Sequence, residues 1–138
     1  MGEFEMGELW YSETPAKIHD GLGDDTSTMV GAIPDAGKVL MRYVVFPPEA
    51  NRDRDETGKP KVMSSDFILE EDDPGMHTTE TIDYGFLIEG ELVLELDEGV
   101  ETTMKAGDAY VQNGTRHAWR NRSDKNAILG VVMVGAER

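Results

Sequence analysis

His77, Thr79 and Asp83 stand at the spacing H-x-T-x3-D in the stretch DPGMHTTETIDYGFLIEG, residues 73–90. A Pro-Gly turn precedes them and the turn glycine Gly90 follows. A further histidine, His117, comes after the turn Asn113-Gly114-Thr115 and opens the run HAWRN. Alternate side chains of a strand share a face, so His77 and Thr79 point the same way. Asp83 lies beyond a short bend, with compatible parity. Pairing of the two hairpins would bring His77, Thr79, Asp83 and His117 into one interior. Two neutral imidazoles and a carboxylate there would suit one divalent ion (iron, manganese, nickel or zinc), with positions left open for a substrate. The same groups would also serve metal-free proton transfer, because an imidazole titrates near neutrality. A lone interior histidine is more often a hydrogen-bonded core residue. Several polar groups converging in an apolar interior are costly to bury without a use, which favours a functional site.

Strands must position these residues. No long window carries apolar residues at helical spacing, whereas short runs rich in β-branched and aromatic residues recur between turn clusters. The runs are 38–46, 61–69, 77–81, 83–88, 91–97, 100–105, 108–112, 117–121 and 127–134. Turns at Pro47-Pro48, Pro74-Gly75, Glu89-Gly90, Glu98-Gly99, Ala106-Gly107 and Asn113-Gly114 separate several of them. This density of turns and short strands predicts an all-β antiparallel sandwich or barrel. In ELVLELD, Leu92, Leu94 and Leu96 share a face opposite Glu91, Glu95 and Asp97. AILGVVMV, residues 127–134, is apolar on both faces, which predicts a central strand or one covered by a partner chain. Gly85 within a strand marks a bulge or a close backbone approach.

Residues 1–36 read as an N-terminal arm, rich in Gly, Pro, Asp and Thr, with Leu9, Trp10 and Tyr11 as its anchors; residues 37–138 read as the barrel domain. DGLGDD, residues 20–25, lacks an acidic residue at the second ligand position of a calcium loop and reads as a solvated acidic turn. Around the polar group, Trp119 should share the face of His117, as core packing or as a stacking wall for a planar ligand. Tyr43, Met63 and Gln112 are further candidates for the lining. Tyr84, next to Asp83, belongs on the opposite face.

The 138 residues suit one domain. Thirteen basic and 28 acidic residues give a formal charge of −15, which argues against a nucleic-acid partner and an anionic membrane surface. The absence of cysteine excludes disulfides and thiolate metal sites. With no basic start followed by an apolar run, and no apolar stretch of the ~20 residues a membrane helix needs, a cytoplasmic protein is expected.

The two polar segments resemble the paired motifs of the cupin superfamily. In the first, His77-x-Thr79, Asp83 and Gly90 occupy the places of H-x-H, a carboxylate and a glycine. In the second, Gly107, the turn Asn113-Gly114-Thr115, His117 and Asn121 follow in order. The resemblance covers about residues 37–134 and implies a double-stranded β-helix (jelly-roll) barrel. It implies three of the family's four metal ligands, His77, Asp83 and His117, with Thr79 in place of the second histidine. Asp83 is one methylene shorter than the usual glutamate. The string HTTETIDYG…EGE…QNGTRHAWRN is similar to one branch of small single-domain cupins, found beside aromatic polyketide pathways in fungi and catabolic genes in bacteria. Most members of that branch have no assigned activity. Small cupins commonly pair sheet to sheet, so a homodimer is expected, with AILGVVMV as its apolar surface.

Three functions follow as expectations. One is a metal-dependent enzyme acting on an enediol, dicarbonyl or hydroxyaromatic substrate. In it His77, Asp83 and His117 hold the ion and Thr79 bonds a water or a substrate oxygen. The second is a metal-free acid–base isomerase, dehydratase or cyclase using the same residues. The third is a non-catalytic small-molecule-binding module.

Overall fold

A computed structural model describes residues 4–13, 31–52, 56 and 75–138. Eight strands follow in chain order: β1 (Glu5–Glu13), β2 (Lys38–Phe46), β3 (Thr81–Glu89), β4 (Glu91–Leu96), β5 (Glu101–Lys105), β6 (Ala109–Asn113), β7 (His117–Arg120) and β8 (Ala127–Gly135). They build a five-stranded sheet in the order β1-β2-β8-β3-β6 and a three-stranded sheet in the order β5-β4-β7. Every pairing is antiparallel. The architecture is all-β, as the recurring short runs required, and among the described residues there is no α-helix. None of their helices is long and apolar enough to cross a membrane.

β8 is the central strand that its two apolar faces predict, lying between β2 and β3. Its inward residues Ala127, Leu129, Val131 and Met133 are buried. Leu129 joins Val44, Phe46, Leu87, Leu92, Met104 and Ala127 in one apolar cluster; Val131 and Met133 join Tyr11 and Leu40 in another. Tyr110 packs against both. Gly85 permits the close approach its place in a strand suggests. A Cβ there would collide with the Tyr110 ring and stand 2.7 Å from the carbonyl oxygen of Gly130. The turn between β3 and β4 needs Gly90 because its φ is 84°.

The outward face of the five-stranded sheet is also apolar. The registers place Trp10, Met41, Val132, Tyr84 and Val111 in one row across all five strands. Phe86, 62% exposed, and Ile88 extend the patch along β3.

Three expectations are corrected. Residues 5–13, read as part of an arm, form the edge strand β1, hydrogen-bonded along β2. The register shifts between Glu8 and Trp10, so Met6 and Glu8 align with the inward residues Val44 and Arg42 while Tyr11, three positions on, aligns with inward Leu40. That bulge breaks the period-2 alternation by which a strand is recognised. Of the anchors, Tyr11 is buried, whereas Leu9 and Trp10 are exposed. The run 77–81 is not a continuous strand: His77 makes an isolated bridge to His117, and β3 begins only at Thr81. The run 61–69 with Met63, and the DGLGDD turn, lie outside the described residues.

Candidate functional site

His77 and His117 face each other across a pair of backbone hydrogen bonds, each amide nitrogen 2.9 Å from the other residue's carbonyl oxygen. Their ring centroids are 4.4 Å apart. The same local device holds each ring. His77 Nδ1 lies 2.9 Å from the Gly75 carbonyl, and His117 Nδ1 lies 2.9 Å from the Thr115 carbonyl, each two residues back. A carbonyl oxygen only accepts, so each Nδ1 carries the proton and Nε2 carries the lone pair of the neutral ring. Each histidine follows a turn with a positive-φ glycine, Gly75 at 96° and Gly114 at 58°. Burial pulls His117 down to about 4, with the neighbouring His77 adding to it. His77 is lowered as well, burial outweighing its bond to Gly75. Both rings are therefore neutral at pH 7.

Thr79 is buried and accepts a 2.9 Å hydrogen bond from Thr81 Oγ1. Asp83, on β3, is 7% exposed and sits opposite Gln112 of β6. Burial pushes its carboxyl up to about 6, against the opposing pull of the Thr81 hydroxyl and the Arg42 charge. Its Oδ1 has no hydrogen-bond partner among the described residues. Gln112 is buried and donates through Nε2 to the Thr115 carbonyl at 3.2 Å, the same oxygen that orients His117. Trp119 stands edge-on to Tyr110 at 4.9 Å and to His117 at 6.0 Å, so it packs and walls the interior at once. Asn121, from the second motif, is fully buried. It donates to the carbonyls of Phe46 and Lys125 and accepts from Ser123, so it clamps loops together.

Tyr43 does not line the interior. It occupies the outward parity of β2, and its hydroxyl donates to Glu5 Oε1 at 2.7 Å. Its neighbour Arg42 takes the inward position, only 2% exposed, between Leu40 and Val44. Sequence parity could not decide this, because both faces of KVLMRYVVF are otherwise apolar. The signal was the charge itself: an arginine with apolar residues at i±2 on a buried strand.

Among the described residues no three His, Cys, Asp or Glu side chains gather as a metal site. His77 and His117 come together; Asp83 does not join them in such a cluster. The described donors amount to two imidazoles, fewer than the three protein ligands a catalytic zinc site typically uses.

Comparison with known proteins agrees with this architecture. The cupin domain family model matches residues 68–134. The chain is 56% identical over 48 residues to Phomopsin biosynthesis cluster protein C' of Diaporthe leptostromiformis, covering 35% of this chain and 25% of that protein. It is 41% identical over 58 residues to Cupin-domain-containing oxidoreductase srdD of Neurospora crassa, covering 42% and 30%. These matches thus span less than a third of the length of those curated relatives. The fold is similar to the crystal structure of the cupin domain of an XRE family transcriptional regulator from Enterobacter cloacae. That alignment has a TM-score of 0.52 and 16% identity and covers 97% of this chain and 98% of the other.

Proposed function

The chain belongs to the cupin superfamily, and on that premise we propose that it is a small-molecule enzyme whose reaction centres on the His77–His117 pair. The proposed substrate is oxygenated: an enediol, a dicarbonyl or a hydroxyaromatic compound. The observation that carries this reading is the pair itself, two neutral imidazoles 4.4 Å apart with both Nδ1 atoms fixed on backbone carbonyls. That arrangement presents two lone pairs of defined direction. One ring takes a proton from beside a carbonyl onto Nε2, and the imidazolium so formed returns that proton to the rearranged substrate. Asp83, with a pKa near 6, is a second proton carrier close to working pH. Names of relatives as cupin-domain oxidoreductases and biosynthesis-cluster proteins support a small-molecule reaction.

The test is C–H exchange on a panel of enolisable dicarbonyls in deuterated buffer containing a chelator, followed by proton NMR. Exchange above the buffer rate that His117→Ala removes is the expected result. Exchange indifferent to both histidines would sink the acid–base reading, and binding without exchange would leave a binding module.

A second reading rests on the same Nδ1 locks, because a metal-ligating histidine usually donates its other ring N–H to a carbonyl or carboxylate. His77 and His117 would then hold one iron, manganese, nickel or zinc ion, which would supply Lewis-acid or redox chemistry. Elemental analysis of protein purified without chelator decides it. Metal near one equivalent that the double His77→Ala, His117→Ala variant loses would support it. Metal retained by the double variant would remove it.

We also propose a homodimer through the outward face of the five-stranded sheet. The unbroken apolar row and exposed Phe86 support it. Phe86→Lys should yield a monomer by light scattering; a monomeric wild type would dispose of this interface.

A further inference from the structure

Arg42 and Asp83 carry buried polar atoms that the fold leaves unsatisfied. Among the described residues, Arg42 Nε and Nη2 have no hydrogen-bond partner, and neither does Asp83 Oδ1. A buried guanidinium without full pairing is costly, and native interiors rarely keep such groups without a use. The protein contacts on Arg42 are weak ones. Nη2 stands 3.3 Å from Glu8 Oε1, an ion pair too poorly aligned to be a hydrogen bond, and Nη1 lies 3.4 Å from Met6 Sδ. Arg42 and Asp83 lower each other's charge cost without bonding to one another. The two nitrogens without a hydrogen bond share one edge of the planar guanidinium, the edge that grips a carboxylate in two parallel bonds. Arg42 is also joined to the histidines by packing. Its register row runs through Val131 to Gly85, over which the Tyr110 ring lies; Tyr110 touches Trp119, and Trp119 touches His117.

We infer that Arg42 anchors a substrate carboxylate through Nε and Nη2, and that Asp83 Oδ1 accepts a hydrogen bond from a hydroxyl of the same molecule. The ligand class is a hydroxycarboxylate. This rests on the proposed small-molecule reaction and narrows its substrate. Glu8 is the internal competitor: its carboxylate borders the same guanidinium from the edge strand, a third exposed to water.

The experiment is calorimetric titration of the full chain with glycolate and 3-hydroxybenzoate, each against its primary amide, which keeps the shape and loses the charge. At least one acid should bind about tenfold or more tightly than its amide. Arg42→Lys, which keeps the charge but not the fork, should bring that ratio close to one. Glu8→Gln, at the edge of the sheet, should tighten the acid and leave the amide unchanged. Acids that fail to bind, or bind no better than their amides, overturn the inference. So does a preference that survives Arg42→Lys and ignores Glu8→Gln. Binding is read without turnover, so the two proposals fail separately. An acid preference intact in a chain that catalyses no exchange removes only the catalytic reading.

Discussion

The His77–His117 pair and the Arg42–Asp83 pair are both polar groups facing the interior, with His77 half-buried and the other three buried, but their bonding differs. Each imidazole is tied at Nδ1 to a carbonyl two residues back, supplied by its own turn. Arg42 and Asp83 stand on regular strands whose backbone groups are committed to ladder hydrogen bonds. Their side chains must find partners across the interior, and there three atoms have no hydrogen bond among the described residues. A turn can orient the side chain it delivers; a strand sets only the face on which a side chain emerges. The first pair is therefore pre-organised by local structure. The second awaits a partner, the condition expected of a group that meets a ligand.

The largest effect should come from breaking the organised pair. His117→Ala is expected to slow proton transfer by ~10²–10⁴-fold while the folded state persists, as checked by exchange rate and circular dichroism. Unchanged rates would mean the pair is only core.

The pH dependence of stability separates the pairs by sign. Asp83 has its folded pKa raised to about 6 from 3.8, so its contribution is present below 3.8 and lost as pH rises through 6. That loss is up to ~3 kcal/mol. His117 has its pKa lowered to about 4 from 6.5, so its contribution is present above 6.5 and lost as pH falls through 4. Denaturation of Asp83→Asn should therefore show stability relative to wild type rising with pH across this window. His117→Gln should show it falling. Parallel slopes for the two variants would refute the contrast.

A smaller effect is expected from removing the unsatisfied cation. Arg42→Met should leave stability unchanged or raise it by up to ~2 kcal/mol, because an imperfectly paired buried charge is replaced by a matching apolar side chain. A marked fall in the denaturation midpoint would show that the Glu8 pair outweighs the desolvation of Arg42.

The smallest effect tests the orientation of His117. Gln112→Ala removes one of two donors on the Thr115 carbonyl and should cost ~1 kcal/mol, with a modest fall in exchange rate. A rate loss as large as that of His117→Ala would make Gln112 part of the reacting set.

Much of this arrangement could be read along the chain. The runs at 38–46, 83–88, 91–97, 100–105, 108–112, 117–121 and 127–134 all fall on strands, because β-branched and aromatic runs bounded by turn residues carry their own boundaries. The convergence of His77 and His117 was expected from pairing of the two hairpins that carry them, and the two residues do bridge. Trp119 was placed on the face of His117 by alternation, and Gln112 was named only as a candidate for the lining. Tyr43 was assigned to the wrong face and Arg42 missed, since a strand apolar on both sides gives no parity. β1 was missed because its bulge at Leu9 breaks the period.

The sequence by itself determined the all-β class, the position of most strands and the identity of the two histidines. These depend on interactions a few residues long: turn geometry, side-chain alternation, a carbonyl two positions back. Only the tertiary structure decided that β1 closes the sheet edge, that Arg42 points inward, and that Asp83 lies with the arginine instead of completing a three-ligand cluster with the histidines among the described residues. Those outcomes depend on register across β1, β2, β8 and β3, strands separated by tens of residues. A shift of one residue in the pairing of β8 with β2 or with β3 would have turned Arg42 or Asp83 to the outside.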